Sequence, residues 1–146
     1  MILKNVCSAS TKTMRLLHIF WKLTQRSAEF IFASSQYDVS GSPTTKFLSG
    51  NGGVVSFVLK NDTEDNLQKF YDGEFTSILK APTLGSNQTL VCPYSMLTHY
   101  HDSDEDLLEI ELPRYLIRIA SGSEKEIAPI IADLNSALAR TTLKDN

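Results

Sequence analysis

Short apolar runs between Gly and Pro residues predict the strands of this chain. The clearest run is Val54–Leu59, which consists largely of β-branched and aromatic residues. Shorter runs of similar character predict further strands at 75–79, 89–92 and 115–120. Each run has the length of a strand rather than that of a helix, so these segments are expected to form a small sheet.

Apolar residues spaced three and four apart predict helices between the strands. The last predicted helix opens at Ser123, with Glu126 in capping-box spacing, and Pro129 inside it predicts a kink or a 3₁₀ first turn. Ser103 and Asp106 have the same spacing at the start of a short acidic helix. The predicted helices cover 14–32, 62–71 with Asp62 as cap, 103–110 and 123–138.

The order of these elements predicts an α+β or α/β layer, with helices packed on one face of a small sheet. The segment Ser34–Ser49 is rich in Ser, Thr and Gly and is predicted to be a loop. No stretch has the composition of a linker, so residues 1–146 are expected to form a single domain.

Arg118 lies in the middle of the last predicted strand, Tyr115–Ala120. A guanidinium in an apolar strand is costly unless an anion pairs with it. The anion can be the carboxylate of a ligand, which would make Arg118 a binding residue. It can also be one of the acids between Asp102 and Glu111, which would make Arg118 part of a structural ion pair, and the residues alone favour this second interpretation.

Composition narrows the possible partners. The 146 residues carry a net charge of −3, which argues against nucleic acid or an anionic membrane as partner. The two cysteines do not make a disulfide framework and indicate a reducing compartment, so a cytoplasmic protein is expected. The first 28 residues contain Lys and Arg but no acid, which is typical of a mitochondrial transit peptide, but an ordinary amphipathic helix of the fold is the favoured interpretation.

A metal site is a weak alternative. His99 and His101 would point to the same side of a strand, near Asp102 and Cys92 in the sequence, but no full ligand set with typical spacing is present. The acids from Asp102 to Asp106 are better explained as the first turn of a helix, where negative charge is favoured. We therefore predict no metal.

Five segments, in the correct order, resemble the C-terminal domain of the Cys/Met-metabolism family of pyridoxal-phosphate enzymes. The sequence Cys92-Pro93-Tyr94 is most similar to the fungal cystathionine γ-synthase-like branch of that family. The resemblance covers about residues 14–140. The segments are Asn51–Phe57, Lys80–Gly85, Cys92–Tyr100, Leu116–Gly122 followed by Glu124, and Ile131–Leu138.

The resemblance implies an antiparallel-rich α+β domain, like the C-terminal domain of fold-type I pyridoxal-phosphate enzymes. It implies that Arg118 binds the α-carboxylate of an amino-acid substrate and that Thr83 and Leu84 also bind the substrate. Thr83 can equally be a turn residue that follows Pro82. Pyridoxal phosphate would be held by a separate large domain that carries the Schiff-base lysine. Lys12 follows Ser10-Thr11, which is superficially similar to the neighbourhood of that lysine, but a basic, exposed segment does not favour this role.

Two functions remain open from the sequence. The chain can be the C-terminal part of a transsulfuration enzyme, inactive alone and partnered by the large domain or by further copies. Alternatively it can be a non-catalytic truncated fragment or interaction module, whose apolar surface would drive association.

Overall fold

The computed structural model describes residues 28–31 and 53–141, and these form a sheet with helices. The strands are β1 (Ala28–Ile31), β2 (Val54–Leu59), β3 (Leu79–Lys80), β4 (Leu90–Pro93) and β5 (Ile117–Ala120). The helices are α1 (Glu64–Tyr71), α2 (Tyr94–Thr98), α3 (Asp104–Glu109) and α4 (Ala128–Ala139). The predicted α+β class is therefore confirmed.

The strand order across the sheet is β1-β2-β5-β4-β3. Only the short pair β3–β4 is parallel, and the other three pairs are antiparallel. The sheet is therefore antiparallel-rich, as expected, and β5 is its central strand. Any side chain on β5 consequently has neighbours from β2 and β4 on the same face.

The core lies between one face of the sheet and the helices α1 and α4. Because side chains alternate along a strand, every second residue of β2, β4 and β5 turns towards these helices. The core residues from the strands are Val55, Phe57, Leu59, Val91, Ile117 and Ile119, and those from the helices are Leu67, Phe70, Ile130, Leu134, Ala137 and Leu138. The intervening positions, Ser56, Cys92 and Arg118, belong to the opposite face.

The first predicted helix is wrong at its C-terminal end. Residues Ala28–Ile31 pair antiparallel with β2, with Ala28 opposite Leu59. This pairing gives the backbone of β2 a hydrogen-bonded neighbour on its outer side, and such tertiary context overrides the local helical spacing. The rest of that predicted helix and the predicted loop Ser34–Ser49 lie outside the described residues.

The predicted strand at 75–79 is also wrong, except at its last residue. The backbone N–H groups of Thr76, Ser77 and Ile78 donate to the carboxylate of Asp133 in α4, at 2.9, 2.7 and 3.1 Å. Since these donors are already used, the segment cannot form a strand ladder there. Regular pairing starts only at Leu79, where its N–H donates to Thr89 O at 2.9 Å.

Helix starts were predicted with mixed success. The capping box of α3 is confirmed, because Ser103 and Asp106 bond each other reciprocally. The cap of α1 is Thr63 and not Asp62. The capping box at Ser123 is wrong, because α4 begins only at Ala128.

The late start of α4 changes the role of Pro129. This proline lies in the first turn of α4, where its missing N–H breaks no helical hydrogen bond. The reason for expecting a kink is thereby removed. Helix α2, which follows Pro93 directly, was not predicted.

In the part of the chain that the structure describes, no helix combines the length and the apolarity that a membrane span needs.

Candidate functional site

Arg118 projects from the central strand on the face opposite the helices. Its neighbours in register are Ser56 on β2 and Cys92 on β4. The side chain is half-buried, and its Nη2 donates a hydrogen bond to the carbonyl oxygen of Pro82. The guanidinium carbon lies 4.8 Å from the centre of the Tyr94 ring. The cation is thus held on a strand that packing fixes, with one edge and one face already in contact.

Residues 53–141 do not show the predicted alternative, an ion pair between Arg118 and one of the acids at 102–111. Two of the acids considered contact other groups. Asp104 accepts a hydrogen bond from Arg114 Nε at 2.8 Å, and Asp102 Oδ2 lies 2.7 Å from His99 Nδ1. No ion pair of Arg118 occurs among the described residues. Within that part of the chain, the guanidinium is therefore available to an external anion.

The other two predicted binding residues, Thr83 and Leu84, follow Pro82 directly. Both are exposed, and the hydrogen bond from Arg118 to Pro82 brings this turn to the guanidinium. Leu84 also lines a cleft of about 260 Å³ between the turn and the ends of β2 and β5. Gly85, the next residue, has φ +78°, a conformation that glycine adopts without strain. The structure places the three predicted residues in one region, and their binding role stays a prediction.

A polar network joins the turn at 83–88 to the segment that follows β5. The buried Thr89 donates its N–H to Glu124 Oε1, and its Oγ1 accepts from Gly122 N at 3.1 Å. Ser123 N donates to Asn87 O at 2.9 Å. A Cβ at Gly122 would come within 2.5 Å of Asn87 O, so only glycine allows this close approach. The network engages Ser123, which was predicted to cap α4, and it fixes the wall of the cleft.

The electrostatic influence of Arg118 also reaches Cys92. Burial raises the pKa of the Cys92 thiol above its ordinary value, and the neighbouring Arg118 guanidinium opposes part of that rise. Cys92 as a residue is 2 % exposed. Cys92 is therefore a neutral, buried neighbour of the cation rather than a nucleophile.

The residues considered as metal ligands are not gathered into a site. His99 pairs with Asp102, and the ring centres of His101 and Tyr100 are 5.2 Å apart. Cys92 lies on β4, directly opposite Arg118 in the strand register. Over residues 28–31 and 53–141, no group of three His, Cys, Asp or Glu side chains could hold a metal ion.

The described lysines do not fit the attachment of pyridoxal phosphate. An attachment lysine needs a desolvated environment, which lowers its pKa. Lys60, Lys69, Lys80 and Lys125 are all exposed. Lys69 pairs with Asp65, and Lys80 lies 5.0 Å from the Tyr71 ring centre. Lys12 lies outside the described residues. None of the lysines that the structure describes therefore has the environment that cofactor attachment needs.

Two contacts of the site were missed by the sequence reasoning. Tyr94 stacks on Arg118, and the carbonyl of Pro82 accepts its hydrogen bond. Both residues stand in the segments that carry the family resemblance, but only the sheet register brings them to Arg118. The spacing of two between Cys92 and Tyr94 was the available signal, because it places both side chains on one face if the strand continues through Pro93.

Curated relatives of this chain include cystathionine gamma-synthases and a similar enzyme from fungi. The cystathionine gamma-synthase of Neurospora crassa is 41% identical over 75 residues, which is 51% of this chain and 11% of the enzyme. A cystathionine gamma-synthase-like enzyme of Amanita muscaria is 31% identical over 104 residues, 71% of this chain and 15% of that protein. The chain thus matches only about a tenth to a seventh of the length of these curated relatives.

Solved structures and a family profile agree with this relationship. The cystathionine gamma-lyase of Lactobacillus plantarum, solved in complex with L-serine, superposes with a TM-score of 0.79 at 20% identity, covering 95% of this chain and 35% of that one. At this identity the likeness shows the fold alone. The sequence profile described as Cys/Met metabolism PLP-dependent enzyme matches residues 26–139, which is most of the chain. The chain therefore belongs to the Cys/Met metabolism family of pyridoxal-phosphate-dependent enzymes.

Proposed function

We propose that this chain supplies the substrate-carboxylate site of a transsulfuration enzyme of the cystathionine gamma-synthase type. The observation that carries the proposal is the half-buried Arg118, which lies on the face of the central strand opposite the helices and has no ion pair among the described residues. Membership of the family supports an amino acid as ligand, since the related enzyme of Lactobacillus plantarum was solved with L-serine.

The chemistry of the guanidinium suits an α-carboxylate. Arginine offers five N–H donors in a planar fork, and two parallel hydrogen bonds can bind both oxygens of a carboxylate. The Nη2 group of Arg118 is partly engaged by Pro82 O, which leaves the remaining donors for the ligand. Half-burial strengthens these bonds relative to those of a fully hydrated arginine. The turn residues Thr83 and Leu84 border the same space.

Binding the carboxylate here would orient the amino acid for reaction elsewhere in the enzyme. Pyridoxal phosphate, the family cofactor, supplies the electron sink for carbanion chemistry when it is bound. The described residues do not provide its attachment, so we propose that a cofactor-bearing region, in the same protein or in another chain, faces the Arg118 side of the sheet. The contribution of Arg118 is to fix position and orientation, which lowers the entropic part of the barrier.

A chimera tests this function. Residues 53–139 of this chain would replace the matching segment of the Neurospora crassa cystathionine gamma-synthase, whose own cofactor region is kept. If the proposal holds, the chimera retains cystathionine-forming activity, because the inserted segment orients the substrate through Arg118. Steady-state assays and the cofactor absorbance would be measured together. A folded, cofactor-loaded chimera without activity would contradict the proposal and favour a non-catalytic interaction module.

A further inference from the structure

We propose that Tyr94 is the positioning residue that holds Arg118 ready for a carboxylate, an inference that rests on the proposed function. The Tyr94 ring lies against one face of the guanidinium, 4.8 Å from ring centre to Cζ. Tyr94 is half-buried, as Arg118 is. A cation over an aromatic face is an attractive arrangement, and desolvation strengthens it.

The fold fixes Tyr94 independently of Arg118. Strand β4 ends at Pro93, and the N–H of Tyr94 donates to Leu116 O at 2.8 Å, which ties the residue to the chain just before β5. The next residue, Ser95, is buried, and its Oγ donates to Pro113 O at 2.6 Å. The ring is therefore attached to a backbone that is anchored at the first two residues of α2.

Among residues 28–31 and 53–141, the contacts of the Arg118 guanidinium leave part of it without a partner. Pro82 O receives an N–H from one edge, the Tyr94 ring covers one face, and the Cys92 thiol lies beside the side chain. A free arginine side chain has many rotamers, and fixing it costs binding free energy when a ligand arrives. Contacts that fix the guanidinium beforehand remove part of that cost. Tyr94 should thus affect the affinity for carboxylates and the orientation of Arg118 rather than the fold.

The test compares Tyr94→Phe, which keeps the ring, with Tyr94→Leu, which removes it. The readouts are the Nε–Hε signal of Arg118 in ¹⁵N–¹H spectra of the full chain and the Kd for L-serine. In the wild type we expect the Arg118 Hε signal to be shifted by the ring current relative to that of Arg114. Tyr94→Phe should keep this shift and the affinity, whereas Tyr94→Leu should lose the shift and raise the Kd about threefold to fivefold.

Tyr100→Leu is the matched control, because Tyr100 is exposed and its ring packs against His101. It should change neither readout. An unchanged Hε shift and Kd in Tyr94→Leu would overturn the inference. If Tyr94→Leu does not fold, the Arg118 Hε signal of the wild type is the test. A chemical shift of this signal without a ring-current contribution would overturn the inference. If the wild type does not bind L-serine, the proposed function is refuted. The Arg118 Hε signal then still tests the role of Tyr94.

Discussion

Replacing Asp133 by Ala is expected to destabilise the fold by about 3 kcal/mol or more, because four donors, three of them backbone N–H groups, lose their acceptor at once. Asp133 is 6 % exposed and accepts four hydrogen bonds. They come from the N–H groups of Thr76, Ser77 and Ile78 and from the hydroxyl of Thr76. These bonds join α4 to the segment that leads into β3, and no other carboxylate in residues 53–141 has a comparable set.

Chemical denaturation measures this effect, and Asp65→Ala is the matched control. Asp65 is exposed and pairs only with Lys69 on the same helix, so its replacement should change the free energy of unfolding by less than about 0.5 kcal/mol. Equal effects of the two substitutions would show that the bonds to Asp133 do not stabilise the fold as described.

The pH dependence of stability should follow from the same residue. Burial raises the pKa of the Asp133 carboxyl. The hydrogen bonds from Ser77, Thr76 and Ile78 lower it by more than burial raises it, so the pKa in the folded state is below the ordinary value. The unfolded chain then binds the proton more readily than the folded one. The stabilisation is present above about pH 4 and is lost as the pH falls through the folded-state pKa. Asp133→Asn should be less stable at neutral pH and should lack this acid-dependent loss.

Replacing Arg118 is the second change with a large expected effect. In the Neurospora crassa chimera, Arg118→Ala should lower kcat/KM about a hundredfold, since it removes a charged, hydrogen-bonded partner of the substrate. The loss should arise mainly from a higher KM, because the carboxylate is bound in the ground state as well as in the transition state. Arg118→Lys keeps the charge but not the planar fork, so it should recover only part of the loss.

Arg140→Ala is the control for Arg118. The guanidinium of Arg140 donates to the carbonyls of Lys69 and Phe70 at the end of α1, at 3.0 and 3.2 Å, away from the predicted site. This substitution should lower stability and leave KM unchanged. A chimera in which Arg118→Ala has unchanged kinetics would remove Arg118 from the substrate site.

The sequence predicted those parts of the fold that local chemistry determines. Strand β2 has the predicted bounds, because its composition suits a half-buried strand throughout. The capping box at Ser103 and Asp106 is local as well. Segment 75–79 was mispredicted, because its backbone donors bond a carboxylate that lies more than 50 residues later in the chain. The same limit applies to Ala28–Ile31, whose pairing with β2 overrides its helical spacing.

The candidate site was predictable only in part, for a similar reason. Arg118 stands out locally as a charge within an apolar strand, and the family resemblance assigned it a ligand. The contacts with Pro82 and Tyr94 depend on the order β2-β5-β4 and on the register between β4 and β5. No local pattern specifies that register, so the positioning of the cation appears only in the folded chain.

The role of Arg118 as the carboxylate-binding residue is tested most directly by titrating the full chain with L-serine and following the Arg118 Nε–Hε signal. L-serine methyl ester serves as control, because it has the same amine and side chain but no carboxylate. We expect L-serine to shift the Arg118 signal saturably and the ester to leave it unchanged. Equal responses to the two ligands, or no response to either, would contradict the assignment of Arg118 as the carboxylate-binding residue.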